Sequence, residues 1–298
     1  MTEDQNSALI EVADLTVAGA AGIDSRRIRL RHVSLSIGRG EIVVFGGEAG
    51  SGKSLLCEFI SGITRRSLQV TNGSVRVAGR DAMGKRSARL APQVSYLGRE
   101  PESAFNPHHT VERSLREFTR LLARISKKPK EMDWNEAFYA VGIVEPERVL
   151  PLVIGDLPLM MLQRLALMRA LMSSSKVIIC DEATAALDRV AESQFIDLIT
   201  QIREEKNVTF VLGMGRLRNA ERFADRIFLF FEGGILESGR ASDLVTKPAC
   251  RYTAEFLATS PKLTHFPHEL STISAEAITE AEAIIHGGDG ILPSTEAE

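Results

Sequence analysis

The chain predicts an α/β protein with a phosphate-binding core, a mostly parallel sheet, an opening antiparallel β subdomain and an inserted helical subdomain. Three observations carry this. A glycine-rich loop, Gly47-Glu48-Ala49-Gly50-Ser51-Gly52-Lys53-Ser54, stands between the apolar run Ile42-Val43-Val44-Phe45 and the helical stretch Leu55–Ile60. That is the strand–loop–helix context a P-loop requires. From Lys176 onward, short apolar runs alternate with helical patterns, as in a parallel sheet covered by helices. Before the loop, two alternating stretches separated by turn residues suggest antiparallel pairing.

Taken in order, residues 9–17 (Leu9-Ile10-Glu11-Val12-Ala13-Asp14-Leu15-Thr16-Val17) alternate loosely as a strand does. Residues 18–27, with Ala-Gly-Ala-Ala-Gly and Arg26-Arg27, predict a loop. A second strand follows over residues 28–37, apolar at Ile28, Leu30, Val33, Leu35 and Ile37. Gly38-Arg39-Gly40-Glu41 is a turn into the P-loop strand. Asn72-Gly73 is expected to open a short strand, Ser74–Val77. Residues 110–172 read mostly as helix. Thr110 caps a first helix with Val111, Leu115, Phe118, Leu121 and Leu122 at helical spacing, broken at Lys127-Lys128-Pro129-Lys130. That basic cluster is a solvated loop or an electrostatic docking patch. A second helix covers about 134–141. A third, about 159–172, is apolar on nearly every side and so expected buried. Then come strand Val177–Asp181, helix about 189–205, strand Val208–Leu212, helix about 217–223, strand Arg226–Phe231, a hairpin turn at Glu232–Ile235, and short helices near 241–246 and 250–258. After about residue 262 the pattern dissolves, and the Gly287–Glu298 end is expected to be flexible.

Composition narrows the function classes. The chain has 298 residues, 44% hydrophobic and 25% charged, which suits one large or two modest domains with a sizeable core. The formal net charge of −3 gives no basic case for nucleic acid. No apolar run approaches the ~20 residues needed to span a bilayer. The acidic, polar start Met1–Asn6 is no signal peptide, so a cytosolic chain is expected, one that can sit on a membrane through a partner. Cys57, Cys180 and Cys250 fit no zinc or iron–sulfur spacing and are expected to be buried thiols.

The chemistry concentrates at the P-loop. Its glycines allow backbone N–H groups to turn inward around an anion, and the following helix adds its positive dipole end. Lys53 is placed to reach the β- and γ-phosphates, and Ser54 to ligate Mg²⁺. Such a loop needs a second element, an apolar strand ending in an acid. Val177-Ile178-Ile179-Cys180-Asp181 fits: Asp181 is placed to hold the metal and Glu182 to polarise the attacking water as general base.

The run Asp181-Glu182-Ala183-Thr184-Ala185-Ala186-Leu187-Asp188 resembles the Walker B and D-loop of ABC-transporter ATPases. Arg99-Glu100-Pro101-Glu102-Ser103-Ala104-Phe105-Asn106-Pro107 is similar to the Q-loop segment of the oligopeptide/dipeptide/nickel importer branch, and Ala224-Asp225-Arg226, Leu236–Gly239 and Arg251–Leu257 also match. The resemblance covers about residues 8–262. It implies a nucleotide-binding domain over 1–262, a helical subdomain at about 100–172, and a C-terminal extension over 263–298. It further implies ATP and Mg²⁺ as cofactors. The partners it implies are two permease subunits, a companion ABC ATPase and an extracytoplasmic solute-binding protein, with this chain peripheral on the cytoplasmic face of the membrane.

Several positions depart from that family's pattern. Arg99 stands where the family has glutamine. Leu157-Pro158-Leu159-Met160-Met161-Leu162-Gln163-Arg164 stands where a Leu-Ser-Gly-Gly signature is expected, with only the flanks kept. Gly215 occupies the switch-histidine position, and no aromatic residue lies near Ala18-Gly19 to stack on adenine. Pro158 has no N–H to offer a phosphate, and Leu159 and Met160 are bulky where glycine permits close approach. Arg99 cannot accept from a metal-bound water. The expectation is therefore the degenerate half of an asymmetric ATPase pair, binding Mg–ATP and hydrolysing it slowly or not at all. The alternatives are a soluble regulatory or scaffold protein on the same fold, and a free-standing P-loop enzyme such as a small-molecule kinase.

Overall fold

The computed structural model describes residues 8–20, 28–63, 65–83, 93–125, 133–259, 272–287 and 292–293. The Arg26-Arg27 loop, the Lys127–Lys130 cluster and most of the last eleven residues lie outside these.

The antiparallel opening is as expected. β1 (Ile10–Gly19) pairs with β2 (Ile28–Ile37) on one side and with β4 (Leu68–Val77) on the other, and β4 pairs with β5 (Arg80–Asp81). Asn72-Gly73 does not open a strand but lies within one. Gly73 sits at φ 86° where β4 bulges over β1, and a side chain there would run into the carbonyl oxygens of Ala13 and Asp14. The glycine marks a close backbone approach rather than a turn.

The second sheet has seven strands in the order β11 (Leu292–Pro293), β10 (Gly234–Arg240), β9 (Arg226–Phe231), β3 (Ile42–Gly46), β8 (Thr209–Met214), β7 (Val177–Asp181), β6 (Val94–Leu97). The run from β9 through β6 is parallel, and β10 returns antiparallel through the Glu232-Gly233 turn. Strands covered on both faces read as near-continuous apolar runs, and β3, β7 and β8 are buried throughout. The pleat sorts them. Ile42, Val44, Ile178 and Phe210 face one core, whereas Val43, Phe45, Ile179 and Val211 face another, packed under β1, β2 and α1 (Lys53–Ile60).

The helical segment supplies the first core. It comprises α2 (Val111–Ile125), α3 (Trp134–Ala140), α4 (Pro146–Val149) and α5 (Leu159–Met172). Thr110 caps α2 through its hydroxyl, which accepts from the Arg113 N–H. Of the apolar residues read into α2, Leu121 is exposed, because the helix turns it away from the core that takes Val111, Leu115, Phe118 and Leu122. α5 is buried along most of its length, as its all-round apolarity predicts.

α6 (Arg189–Lys206) is capped by Asp188, whose carboxylate accepts from the Val190 and Ala191 N–H groups. The helix expected at 217–223 is only a 3-10 turn, Ala220–Arg222, because Asn219 takes the left-handed conformation at φ 55°. α7 (Ala241–Thr246) and α8 (Arg251–Ala258) lie close to their expected places. Beyond residue 262 the expected loss of pattern is corrected by α9 (Ala275–His286), capped by Ser274. α9 buries Ala277 and Ala281 completely. Small residues give a weak hydropathy signal, which hid the helix.

Candidate functional site

The P-loop leaves the end of β3 and enters α1, at the carboxyl edge of the parallel strands where α/β folds place ligands. Gly47, Gly50 and Gly52 adopt φ of 139°, 83° and 110°. At Gly47 a side chain would collide with the Phe230 carbonyl oxygen, and at Gly52 it would press on Leu30 and Gly233. The loop is thus wedged between β2 and the β9–β10 turn. Gly233 donates its N–H to the Ser51 carbonyl at 2.9 Å and accepts from the Arg31 N–H at 2.8 Å.

Lys53 curls back over the loop. Its ammonium donates to the carbonyls of Gly47 (2.6 Å) and Glu48 (2.7 Å), and to Ser51 Oγ (3.3 Å). Burial holds its pKa below the usual lysine range, opposed by the charges of Glu182 and Asp181. A buried cation already held by the loop is one an incoming phosphate can recruit.

Asp181 ends β7 and is 5% exposed. The Ser54 hydroxyl donates to its Oδ1 at 3.0 Å, and the Tyr96 hydroxyl donates to its Oδ2 at 2.8 Å. Ser54 and Asp181, far apart in sequence, therefore meet as expected. Gly213 lies beside Asp181 in register, and a Cβ there would stand 2.6 Å from Oδ1. Burial and the charge of Asp181 push the Tyr96 phenol above its usual range, so it stays a donor at neutral pH. The same two causes raise Cys180 to about 12, and Cys57 is raised well above the usual thiol range. Both thiols are buried and free, as the sequence predicted, and so is Cys250.

Glu182 follows in a left-handed backbone conformation, φ 52°, fixed by its N–H donating to the Gly213 carbonyl at 2.9 Å. Its carboxylate is met by Arg99, whose Nη1 lies 3.5 Å from Oε2. Arg99 thus lays a cation on the expected general base.

Between loop and sheets runs a groove of about 390 Å³ lined by Arg29, Gly50, Gly52–Leu55, Glu58, Arg65, Leu68 and Glu182, among others. Its phosphate end is Lys53 and Ser54. Its far end is set by Leu68, which pairs with Gly19. Among the described residues no aromatic side chain lines it. Glu58 and Arg65 close one wall as a two-pronged ion pair. Among the described residues no three His, Cys, Asp or Glu side chains cluster to hold a metal. The Ser54 and Asp181 oxygens fit an Mg²⁺ that takes its remaining ligands from phosphate and water.

The segment around Leu157–Arg164 begins α5 with Pro158 at the N-cap and no side-chain cap. Met160 and Met161 are half-buried and pack on the core. Gln163 is buried and donates to the Ala183 carbonyl, tying α5 to the residue after Glu182. Gly215 is exposed, and nothing stands within 4 Å of where its Cβ would be.

Sequence reading missed Tyr96 and Gln163. Tyr96 sits in β6, whose signal was the short run Val94-Ser95-Tyr96-Leu97 before Gly98. Gln163 was noted only as a surviving flank.

Residues 30–185 match the family model described as ABC transporter. The chain is 30% identical over 267 residues to the peptidoglycan transport ATP-binding protein YejF of Agrobacterium fabrum, covering 88% of this chain and 49% of that protein. It is 27% identical over 256 residues to the oligopeptide transport ATP-binding protein OppD of Lactococcus lactis subsp. cremoris, covering 84% of this chain and 76% of that one. The chain thus spans about half the length of the first of these relatives. The solved structure of cbiO1 from Clostridium perfringens, described as part of the ABC transporter complex cbiONQ, superposes with a TM-score of 0.67. It is 20% identical and covers 81% of this chain and 92% of that one. At that identity the likeness speaks for the fold.

Proposed function

The chain belongs to the ABC transporter ATP-binding family, and from that premise we propose that it is the weakly hydrolysing partner in an asymmetric ATPase pair of a membrane importer. Peptides or similar small solutes are the cargo class, carried over from the names of the relatives. Two permease subunits, a regular companion ATPase and an extracytoplasmic solute-binding protein complete the assembly. No helix among the described residues is long and apolar enough to cross a membrane.

The observation that carries the reading is the contrast within one site. The binding half is assembled: Lys53 rests in the loop, and Ser54 is bonded to Asp181. The hydrolytic half is compromised: Arg99 pairs with Glu182, and Gly215 offers no side chain. Mg²⁺ at this site would supply charge neutralisation between the β- and γ-phosphates. Around it, the loop N–H groups and Lys53 hold the anion, and Ser54 and Asp181 offer the protein oxygens. Glu182 would orient a water, but its negative charge is shared with a guanidinium. Pro158 gives the companion's nucleotide no N–H, and Leu159 and Met160 leave little room for close approach. A soluble scaffold role is favoured by Arg99 alone, since glutamine there normally faces the permease.

The test uses the purified assembly, with Glu182→Gln in this chain compared against the equivalent change in the companion. Turnover is expected to survive the first and collapse with the second. Collapse with Glu182→Gln alone would overturn the proposal.

A further inference from the structure

A second cavity, of about 490 Å³, lies against the outer half of the P-loop and shares with the nucleotide groove only Arg29 and Gly50. Its size is that of a small-molecule site. Arg29 and Arg31 enter it from β2, Glu48 from the P-loop, and Glu232 from the β9–β10 turn, with Phe231 and Tyr252 beside them. Tyr252 is 1% exposed and held firmly, edge-on to Phe231 at 4.7 Å and stacked near Phe256 at 6.2 Å. Its hydroxyl is buried and faces the Glu48 carboxylate, whereas Arg31 Nε is buried with no hydrogen-bond partner. An orphaned guanidinium nitrogen on a residue of the cavity is a cost to the fold that a bound ligand would remove. Burial, with the Glu48 charge beside it, pushes the Tyr252 hydroxyl above its usual range, so it remains a donor at neutral pH.

The charges select the ligand. A simple anion would be buried beside Glu48 and Glu232, and a simple cation beside two guanidiniums; either would be opposed. A molecule bearing both signs is met on both counts. Glu232 is engaged by His286 at 3.1 Å, which leaves Glu48 as the carboxylate for an ammonium. Arg31 is the donor for a carboxylate, and the Tyr252 hydroxyl steadies Glu48 from behind. We infer that this cavity binds a small zwitterion, an amino acid or short peptide with both termini free. The inference goes beyond the proposed function and does not depend on it.

Isothermal titration of the full chain with alanyl-alanine, against the same dipeptide N-acetylated and C-amidated, tests it. The free dipeptide is expected to bind and the blocked one at least ten-fold more weakly. Tyr252→Phe, which keeps the ring and loses only the hydroxyl, is expected to weaken binding about five-fold, the size of one neutral hydrogen bond. Arg31→Gln is expected to weaken it ten-fold or more, as for loss of a charged one. No binding to the wild type at about 10 mM dipeptide, equal binding of the blocked form, or unchanged affinity in both variants would each overturn it. Mg–ATP affinity measured on the same preparation keeps the two readings apart. A chain that binds ATP and ignores the dipeptide sinks this inference alone, and the reverse sinks the nucleotide reading alone.

Discussion

Replacing Arg99 with glutamine should release Glu182. The pair is 3.5 Å apart, with Arg99 66% exposed and Glu182 23% exposed. Unit charges at that distance in a water-like medium attract by about 1 kcal/mol. Measured exposed pairs fall at roughly 0.2–1 kcal/mol. The larger figure is about a five-fold change in how readily the carboxylate is free to orient water. Phosphate turnover by the reconstituted assembly, with the companion's own glutamate silenced, is the assay. Arg99→Gln is expected to raise this residual rate several-fold, while Arg99→Lys stays near the parent because the charge persists. Salt supplies an independent arm. At 1 M ionic strength the screening length is about 3 Å, so added salt should raise the rate of the parent relative to Arg99→Gln. A rate that falls in Arg99→Gln, or a parent and variant with the same salt response, would refute the pairing as a cause of the slow hydrolysis proposed above.

Other outcomes follow from neighbouring geometry. Gly215→His should fold normally, since its Cβ meets nothing within 4 Å, and in the Arg99→Gln background should raise turnover further, toward the ~10²-fold value of one transition-state contact. Gly213→Ala should do the opposite, because its Cβ would stand 2.6 Å from Asp181 Oδ1. Turned from Ser54, that carboxylate should cost about ten-fold in Mg²⁺-dependent ATP affinity, read by titration with and without the metal, the loss of one charged hydrogen bond. Glu255 accepts from the Ser274 N–H and pairs with Arg251, which holds its pKa below the usual carboxylate range. A depressed carboxylate adds stability above its unfolded pKa and loses it as pH falls through the folded value. Hydrogen exchange across Ala275–His286, corrected for intrinsic rates, should therefore show lower protection at pH 3 than at pH 7, and Glu255→Gln should remove most of that difference.

How much of this was legible depends on whether a feature is contiguous. The P-loop is one stretch whose flanks identify it, so Gly47–Ser54 could be assigned from order alone. Asp181 followed from a single apolar strand ending in an acid. What it touches did not follow. Tyr96 reaches it from β6 across 85 positions, and Gln163 reaches Ala183 from another helix. Neither separation leaves a mark in the local pattern. Arg99 could be singled out as unusual, but its pairing with Glu182 is a fact of tertiary geometry. Asn72-Gly73 misled because the same dipeptide serves a turn and a bulge, and only the approach of β1 distinguishes them. α9 escaped notice because the residues it buries fully, Ala277 and Ala281, pack by being small.

The β9–β10 turn has a wider reach than its two residues suggest. Glu232 grips His286 at the end of α9, and the next residue, Gly233, is fastened to Ser51 in the heart of the phosphate loop. A stay is thereby strung from near the end of the chain to its most chemically demanding segment. Clipping or displacing α9 slackens that stay, and the cradle some 230 positions upstream in the sequence loses one of its anchors.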